Sequence, residues 1–170
     1  LIALANPNQP IEVILNLKQI SEICIMARRY NSLVIIDEAY YHFNNITAKQ
    51  LINKFDNLIV VRTFSKAFGL AGMRVGYTMA NKKIIGYMMS IKPIYEINAF
   101  NIKLIRLLIK NINEMKNYTK AVKKGTLRLK KYLANYGIKM YGKYSNTVLF
   151  RLKDYSRVKK IAKFLYERKF

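Results

Sequence analysis

Lys66 stands in the run Arg62-Thr63-Phe64-Ser65-Lys66-Ala67-Phe68-Gly69-Leu70-Ala71-Gly72-Met73-Arg74-Val75-Gly76-Tyr77, a turn rich in hydroxyls and glycines. The apolar run Leu58 to Val61 leads into it, and Arg74 follows further along the same turn. A solvated lysine needs no such setting. A lysine that forms an imine with an aldehyde does, because it must shed its proton near neutral pH. Thr63, Ser65 and Arg74 suit a phosphate, since hydroxyls donate singly and a guanidinium donates as a permanently charged fork. Pyridoxal phosphate carries both an aldehyde and a phosphate.

The elements that position this lysine follow from hydrophobic pattern. Residues 1–5 read as a short apolar strand that ends at the loop Asn6-Pro7-Asn8-Gln9-Pro10. Leu17 to Tyr30 repeats apolar residues at helical spacing, with Asn16 as N-cap and Arg28 and Arg29 at the C-terminal end. Leu33 to Ile36 is a continuous apolar run of the kind that forms a buried parallel strand, and Asp37 ends it. A short helix around Thr47 to Lys54, a strand over Leu58 to Thr63 and a further strand over Met73 to Met79 follow. Strands alternating with helices predict an α/β layer, and ligands in such sheets sit at the carboxyl ends of the strands. Asn8, Asp37 and Lys66 all lie at such ends.

Beyond residue 81 the pattern changes. Lys82 to Ile91, Ala99 to Asn111 and Asn113 to Tyr136 read as helices, with Gly125 a weak point in the last and Gly137 near its end. Ile138 to Tyr141 and Thr147 to Leu152 read as paired strands, and Ser156 to Arg168 as a closing helix. Two domains are expected. Residues 1–112 would be part of a mostly parallel-sheet large domain, and residues 113–170 part of a small α+β C-terminal domain.

These blocks give the chain a resemblance to the pyridoxal-phosphate-dependent aminotransferases of fold type I, class I/II, and within them to the histidinol-phosphate aminotransferases. It rests on Asn6-Pro7-Asn8-Gln9-Pro10, on Asp37-Glu38-Ala39-Tyr40, and on Thr63 to Tyr77, in that order. It implies that Lys66 holds the cofactor aldehyde and then moves the proton from the substrate Cα. Asp37 would pair with the pyridine nitrogen and keep the ring protonated, an ordinary loop or N-cap aspartate being the alternative. Tyr40 would donate to the phenolic oxygen O3′; core packing is its alternative, and Tyr41 stands beside it. Ser65 and Arg74 would hold the phosphate, with a structural salt bridge the other reading of Arg74. Thr63 is a third phosphate candidate, balanced against a plain strand-end role. Alternation along the strand turns Arg62 away from Thr63, and Glu38 is assigned to structure or solvent contact. Asn8 is the choice for a second O3′ donor, with Gln9 as a substitute.

The first block departs from the family, which has Thr-Gly where this chain has Ile11-Glu12. Glycine permits backbone angles that Glu12 is not expected to adopt. The family also has sequence before the Asn-Pro loop, including the aromatic that stacks on the ring, and a substrate-carboxylate arginine beyond a helix like Ser156 to Arg168. The chain begins at Leu1 rather than Met and is expected to be an excerpt or one piece of a divided gene. The implied reaction moves an amino group from a histidinol-phosphate-like amino compound to a 2-oxo acid such as 2-oxoglutarate, in a homodimer when full length. Amino-acid-phosphate decarboxylation on the same fold, a non-catalytic remnant and a nucleic-acid-binding protein are the rivals.

Composition tests those rivals. The net charge is +22, with 31 Lys and Arg against nine Asp and Glu. All of the excess lies after residue 60, as lysine dispersed among Ile, Asn and Tyr on helical segments. That distribution favours a solvated basic face over a nucleic-acid site, although tyrosines such as Tyr118 and Tyr132 interleave with the lysines. The longest apolar runs are far too short to span a bilayer, and no secretory leader is visible. Cys24 is the single cysteine, which precludes an intrachain disulfide and fits a reducing cytoplasm. His42 is the single histidine, and no metal site is expected.

Overall fold

The apolar runs after Ser32 and after Asn57 form neighbouring parallel strands, and this pair is the spine of the fold. The computed structural model describes residues 1–152 and 154–169. Strands β1 (Ile2–Ala5), β2 (Val34–Asp37), β3 (Leu58–Thr63) and β4 (Gly76–Ala80) form one sheet in sequential order. The first three are parallel and β4 returns antiparallel to β3. The register aligns Ala5, Asp37, Val61 and Thr78 across the sheet. The loops after β1, β2 and β3 therefore leave from one edge.

Val34, Ile36, Leu58 and Val60 are fully buried and pack with Ile20, Cys24 and Ala27 of helix α1 (Leu17–Arg29). Burying such a side chain contributes about 1.5–3 kcal/mol, so this face holds the sheet together. Asn16 caps α1 through a reciprocal capping box with Gln19, as the spacing predicts. Asn57 Nδ2 donates to the carbonyls of Cys24 and Ser32 at 3.0 and 3.1 Å, which ties the middle of α1 and the loop before β2 to the start of β3.

Three local features differ from expectation. Helix α2 (Tyr41–Asn44) is a single turn that periodicity is too short to reveal, and Asn45 ends it in the left-handed region at φ 61°. The helix expected around Thr47 to Lys54 is only a 3₁₀ turn, Lys49–Leu51, which delivers Leu51, Ile52 and Phe55 to the core. The strand expected from Met73, β4, starts at Gly76 instead, because Ala71–Met73 form another 3₁₀ turn and Arg74 takes φ 52°. A Cβ on Gly76 would sit 2.6 Å from the Arg62 carbonyl oxygen. Only glycine allows Gly76 to pair with Thr63 and bring Arg74 back beside the end of β3.

Helices α3 (Lys82–Ile91) and α4 (Ala99–Lys110) are capped by the side chains of Asn81 and Asn98. Helix α5 (Ile112–Ala134) runs unbroken through Gly125, and Gly137 follows it at φ 67°. Met115 of α5 packs against Phe43 and Ala67, so this helix supports α2 and the Lys66 turn together. Strands β5 (Met140–Tyr141) and β6 (Leu149–Phe150) pair antiparallel but are shorter than predicted. Helix α6 (Tyr155–Glu167) starts at the Asp154 cap.

Candidate cofactor site at the carboxyl edge of the sheet

Beneath this edge lies a buried ion pair. Glu38, with no exposed side-chain surface, meets Arg62 Nη2 at 2.9 Å, and its Oε2 also accepts from Arg62 Nε at 2.9 Å. The same carboxylate accepts from the Thr47 hydroxyl at 2.9 Å and the Ala48 backbone N–H at 2.6 Å. The Arg62 guanidinium lies 3.4 Å from the centre of the Tyr41 ring, over its face. Burial works against the Arg62 charge, but hydrogen bonds to Tyr77 and Glu38 and the Glu38 charge outweigh it and raise the pKa. Glu38 thus serves structure and has no solvent contact. Arg62 points away from Thr63 as alternation predicts.

Each member of that pair is one residue from a candidate. Asp37, the last residue of β2, is exposed; its Oδ1 accepts from the Ala39 N–H at 2.9 Å. The loop reading of Asp37 is therefore satisfied by one oxygen, and the other has no protein donor among the described residues. Tyr40 is half-buried at the start of α2 and packs against the cluster of Phe43, Ala67 and Met115. Its core-packing reading and its site reading coexist, since Lys66 Nζ lies 5.6 Å from the centre of its ring. Lys66 is half-buried, and among the described residues no carboxylate pairs with it.

The turn after β3 is braced from within. Thr63 donates to Ser65 Oγ at 2.8 Å and accepts from the Ser65 N–H at 3.0 Å. The Gly69 N–H reaches the Lys66 carbonyl and the Leu70 N–H the Phe64 carbonyl, both at 3.1 Å. Thr63 therefore orients Ser65. Arg74 makes no salt bridge among the described residues; its Nη1 donates only to the Ala71 carbonyl at 3.0 Å, and the side chain is exposed. Most of its donors remain available to an anion.

The Asn-Pro loop differs from expectation. Asn6 is fully buried and exchanges two hydrogen bonds with the Leu15 backbone, at 2.9 and 3.1 Å. Asn8 is exposed, and its Oδ1 accepts from the Val13 N–H at 2.8 Å. Gln9 holds the more informative group, because its Nε2 is buried without a hydrogen-bond partner. Glu12 does adopt the left-handed conformation, at φ 61°, against expectation. The compensation is its carboxylate, which accepts from Lys143, Tyr144 and Ser145.

A carboxylate at a strand end, a tyrosine beside an unpaired lysine, a free guanidinium and an orphaned amide donor fit pyridoxal phosphate in kind. The family model described as aminotransferase class I and II matches residues 1–170. The chain belongs to this family. Among curated aminotransferase relatives, the histidinol-phosphate aminotransferase of Thermoanaerobacter pseudethanolicus is 39% identical over 155 residues. That match covers 91% of this chain and 43% of the relative, so the chain spans less than half the relative's length. A solved histidinol-phosphate aminotransferase from Sinorhizobium meliloti, in complex with pyridoxal-5'-phosphate, superposes with a TM-score of 0.80 at 22% identity. It covers 96% of this chain and 45% of that one. An L-threonine-O-3-phosphate decarboxylase from Porphyromonas gingivalis superposes with a TM-score of 0.73 at 22% identity, over 89% and 47% of the two chains. At such identities these structures establish the α/β fold of the fold type I large domain.

Within this aminotransferase chain, sequence reasoning underrated three residues. Arg62 and Glu38 read as bystanders, although an acidic residue after one buried strand and a basic residue inside the next were the available signal. Glu12 read only as a lost glycine. Its partners lie more than a hundred residues away, beyond any local pattern.

Proposed function

We propose that the chain is the lysine-bearing portion of a pyridoxal-phosphate-dependent transaminase acting on a histidinol-phosphate-like amino donor and a 2-oxo acid acceptor such as 2-oxoglutarate. Bound pyridoxal phosphate supplies an aldehyde for the amino group and a ring that withdraws electrons from the substrate Cα. The observation that carries this reading is the turn after β3. It presents Lys66 without a counter-ion among the described residues and Arg74 with a nearly unused guanidinium, at the same sheet edge as the Asp37 strand end.

The chain's own residues then divide the work. Asp37 holds the proton on the pyridine nitrogen with its free carboxylate oxygen. Tyr40 would donate a hydrogen bond from its hydroxyl to O3′. Ser65 and Arg74 bind the phosphate, Arg74 with a fork suited to two of its oxygens, while Thr63 holds Ser65 in place. Lys66 Nζ is the base for the substrate Cα proton, so it must be neutral when it acts. For the second O3′ donor, the buried and unpartnered Nε2 of Gln9 is better disposed than Asn8. An unsatisfied buried donor is costly in the protein alone and is relieved by an acceptor.

The division into residues 1–112 and 113–170 belongs to the same proposal, with α5 as the connector that also buttresses the Lys66 turn through Met115. A homodimer is proposed as well. It would cover the apolar strip of Ile91, Ile94, Tyr95 and Phe100, of which Tyr95 is 93% exposed. No helix among the described residues is long and apolar enough to cross a membrane. A cytoplasmic location fits the lone buried thiol of Cys24.

The test is a single-turnover reaction of the cofactor-loaded protein with histidinol phosphate. Transamination predicts a keto product and the amine form of the cofactor, without carbon dioxide. The fold likeness to the threonine-phosphate decarboxylase favours a second reading, and carbon dioxide release from an amino-acid phosphate would select it.

A further inference from the structure

Glu12 is 8% exposed and sits at φ 61°, a conformation uncommon outside glycine. Its Oε2 accepts the backbone N–H groups of Lys143 at 2.6 Å and Tyr144 at 2.9 Å. Its Oε1 accepts the hydroxyl of Ser145, itself 5% exposed, at 2.6 Å. Two successive backbone N–H groups converging on one carboxylate oxygen form an anion-binding nest, here filled from within the chain. All three bonds are charge-assisted, the strong class.

The contact continues toward the candidate site. The Thr147 N–H donates to Ser145 Oγ at 3.1 Å, and the Thr147 hydroxyl donates to Gln9 Oε1 at 2.6 Å. Ser145 Oγ also lies 2.8 Å from Thr147 Oγ1, so Glu12, Ser145, Thr147 and Gln9 form one continuous hydrogen-bonded chain, in which the Gln9 carboxamide is held through its oxygen. Its Nε2 is then the buried group left without a partner. Asn44 of α2 adds a bond to the Tyr144 carbonyl at 3.0 Å. The segment between β5 and β6 is thus bound to the Asn-Pro loop at two places, Gln9 and Glu12.

We propose that Glu12 is a positioning residue: its buried carboxylate locks the 143–147 segment onto the Asn-Pro loop and, through Ser145 and Thr147, aims Gln9 Nε2 at the cofactor's phenolic oxygen. The aiming of Gln9 rests on the proposed pyridoxal phosphate site, whereas the lock does not. Glu12 also explains why this chain tolerates a side chain at a left-handed position. The carboxylate accepts three charge-assisted bonds, one from the buried Ser145 hydroxyl and two from part-buried backbone N–H groups, and these offset the backbone penalty.

Residue-resolved amide exchange tests the lock in the protein without cofactor. Glu12→Gln removes the charge at nearly constant shape. Exchange at Lys143 and Tyr144 should rise about tenfold or more, the scale of a lost charge-assisted bond, while the amides of Ile35 and Ile59 serve as the control for intact fold. Ser145→Ala approaches the lock from the other side and should raise exchange at the same amides, less than additively with Glu12→Gln. Glu12→Gly separates strain from bonding: the lock predicts raised exchange even though the backbone is relieved. Unchanged exchange at Lys143 and Tyr144 in all three variants overturns the lock. The positioning role is read by the pH midpoint of visible absorbance in the cofactor-loaded protein. A donor to the phenolic oxygen draws electron density from it, so losing the donor should move the midpoint upward. Gln9→Leu and Glu12→Gln should shift it in the same direction, and the double variant no further. A midpoint unmoved by Glu12→Gln overturns the positioning role. If the parent protein takes up no cofactor, the positioning role and the functional reading fail together, and the exchange result still decides the lock.

Discussion

Glu38 and Arg62 meet at 2.9 Å beneath the carboxyl ends of β2 and β3, each one residue from a member of the proposed site. Asp37 precedes the carboxylate and Thr63 follows the guanidinium. The pair therefore ties the strand end that carries Asp37 to the one that carries Thr63. A buried pair of this kind adds little net stability over an apolar substitute, but breaking one side leaves a buried charge alone.

Arg62→Leu should consequently destabilise the protein by about 3–5 kcal/mol. Adding Glu38→Gln should recover part of that loss, because the neutral amide carries no stranded charge and still accepts from the Ala48 N–H. Chemical denaturation of the two single variants and the double variant measures this. Additive losses would contradict a direct coupling.

Arg74 presents the opposite case. Its one side-chain hydrogen bond among the described residues is to the Ala71 carbonyl, so Arg74→Gln should leave the denaturation midpoint nearly unchanged. Affinity for pyridoxal phosphate should fall by about ten- to a hundredfold, the scale of one or two charge-assisted bonds. Arg74→Lys should recover little, since an ammonium lacks the planar fork. Titration with cofactor followed by absorbance checks both statements.

Gly76→Ala should unfold or re-register the β3–β4 pair. The added Cβ would lie 2.6 Å from a backbone carbonyl oxygen, which cannot rotate away as a side chain could. A loss of at least about 1–3 kcal/mol is expected from overpacking, and more if the Thr63–Gly76 pairing breaks. Thermal melting decides.

These cases show what the amino-acid order makes visible. Continuous apolar runs of Leu, Ile and Val announce the strands, and Asn16, Asn81 and Asn98 stand where the helices begin. The strand-end positions of Asp37 and Lys66 were legible for the same reason, since a strand must stop where its apolar run stops. The single turn of α2 was not, because four residues carry no measurable period. The late start of β4 was hidden too: Met73 and Val75 look strand-like, and only the close approach of Gly76 to Arg62 sets the boundary. Sequence placed Asn8 ahead of Gln9 for the O3′ contact, and what separates the two in the structure, the bonds that Val13 and Thr147 donate to them, is not written in local sequence.

Acid should weaken the fold through His42. Burial holds its pKa below the ordinary value of 6.5, and the Arg62 charge pushes it the same way. Its Nε2 is buried without a partner, and its ring meets Phe68 edge-on at 5.0 Å. The unfolded chain therefore binds the proton first as pH falls. This contribution is fully present above pH 6.5 and is lost as pH drops through that value toward the folded pKa. His42→Phe should flatten that part of the stability profile. Denaturation midpoints at neutral and mildly acidic pH give the comparison, and an unchanged acid slope would contradict the assignment.

The most direct measurement is borohydride trapping of the protein with pyridoxal phosphate, followed by digestion and mass mapping of the labelled peptide. The account predicts a stable cofactor adduct on Lys66, competed by inorganic phosphate and absent from a folded Lys66→Ala variant. A folded protein that carries no adduct at Lys66, or whose labelling spreads over other lysines and persists in Lys66→Ala, would contradict it.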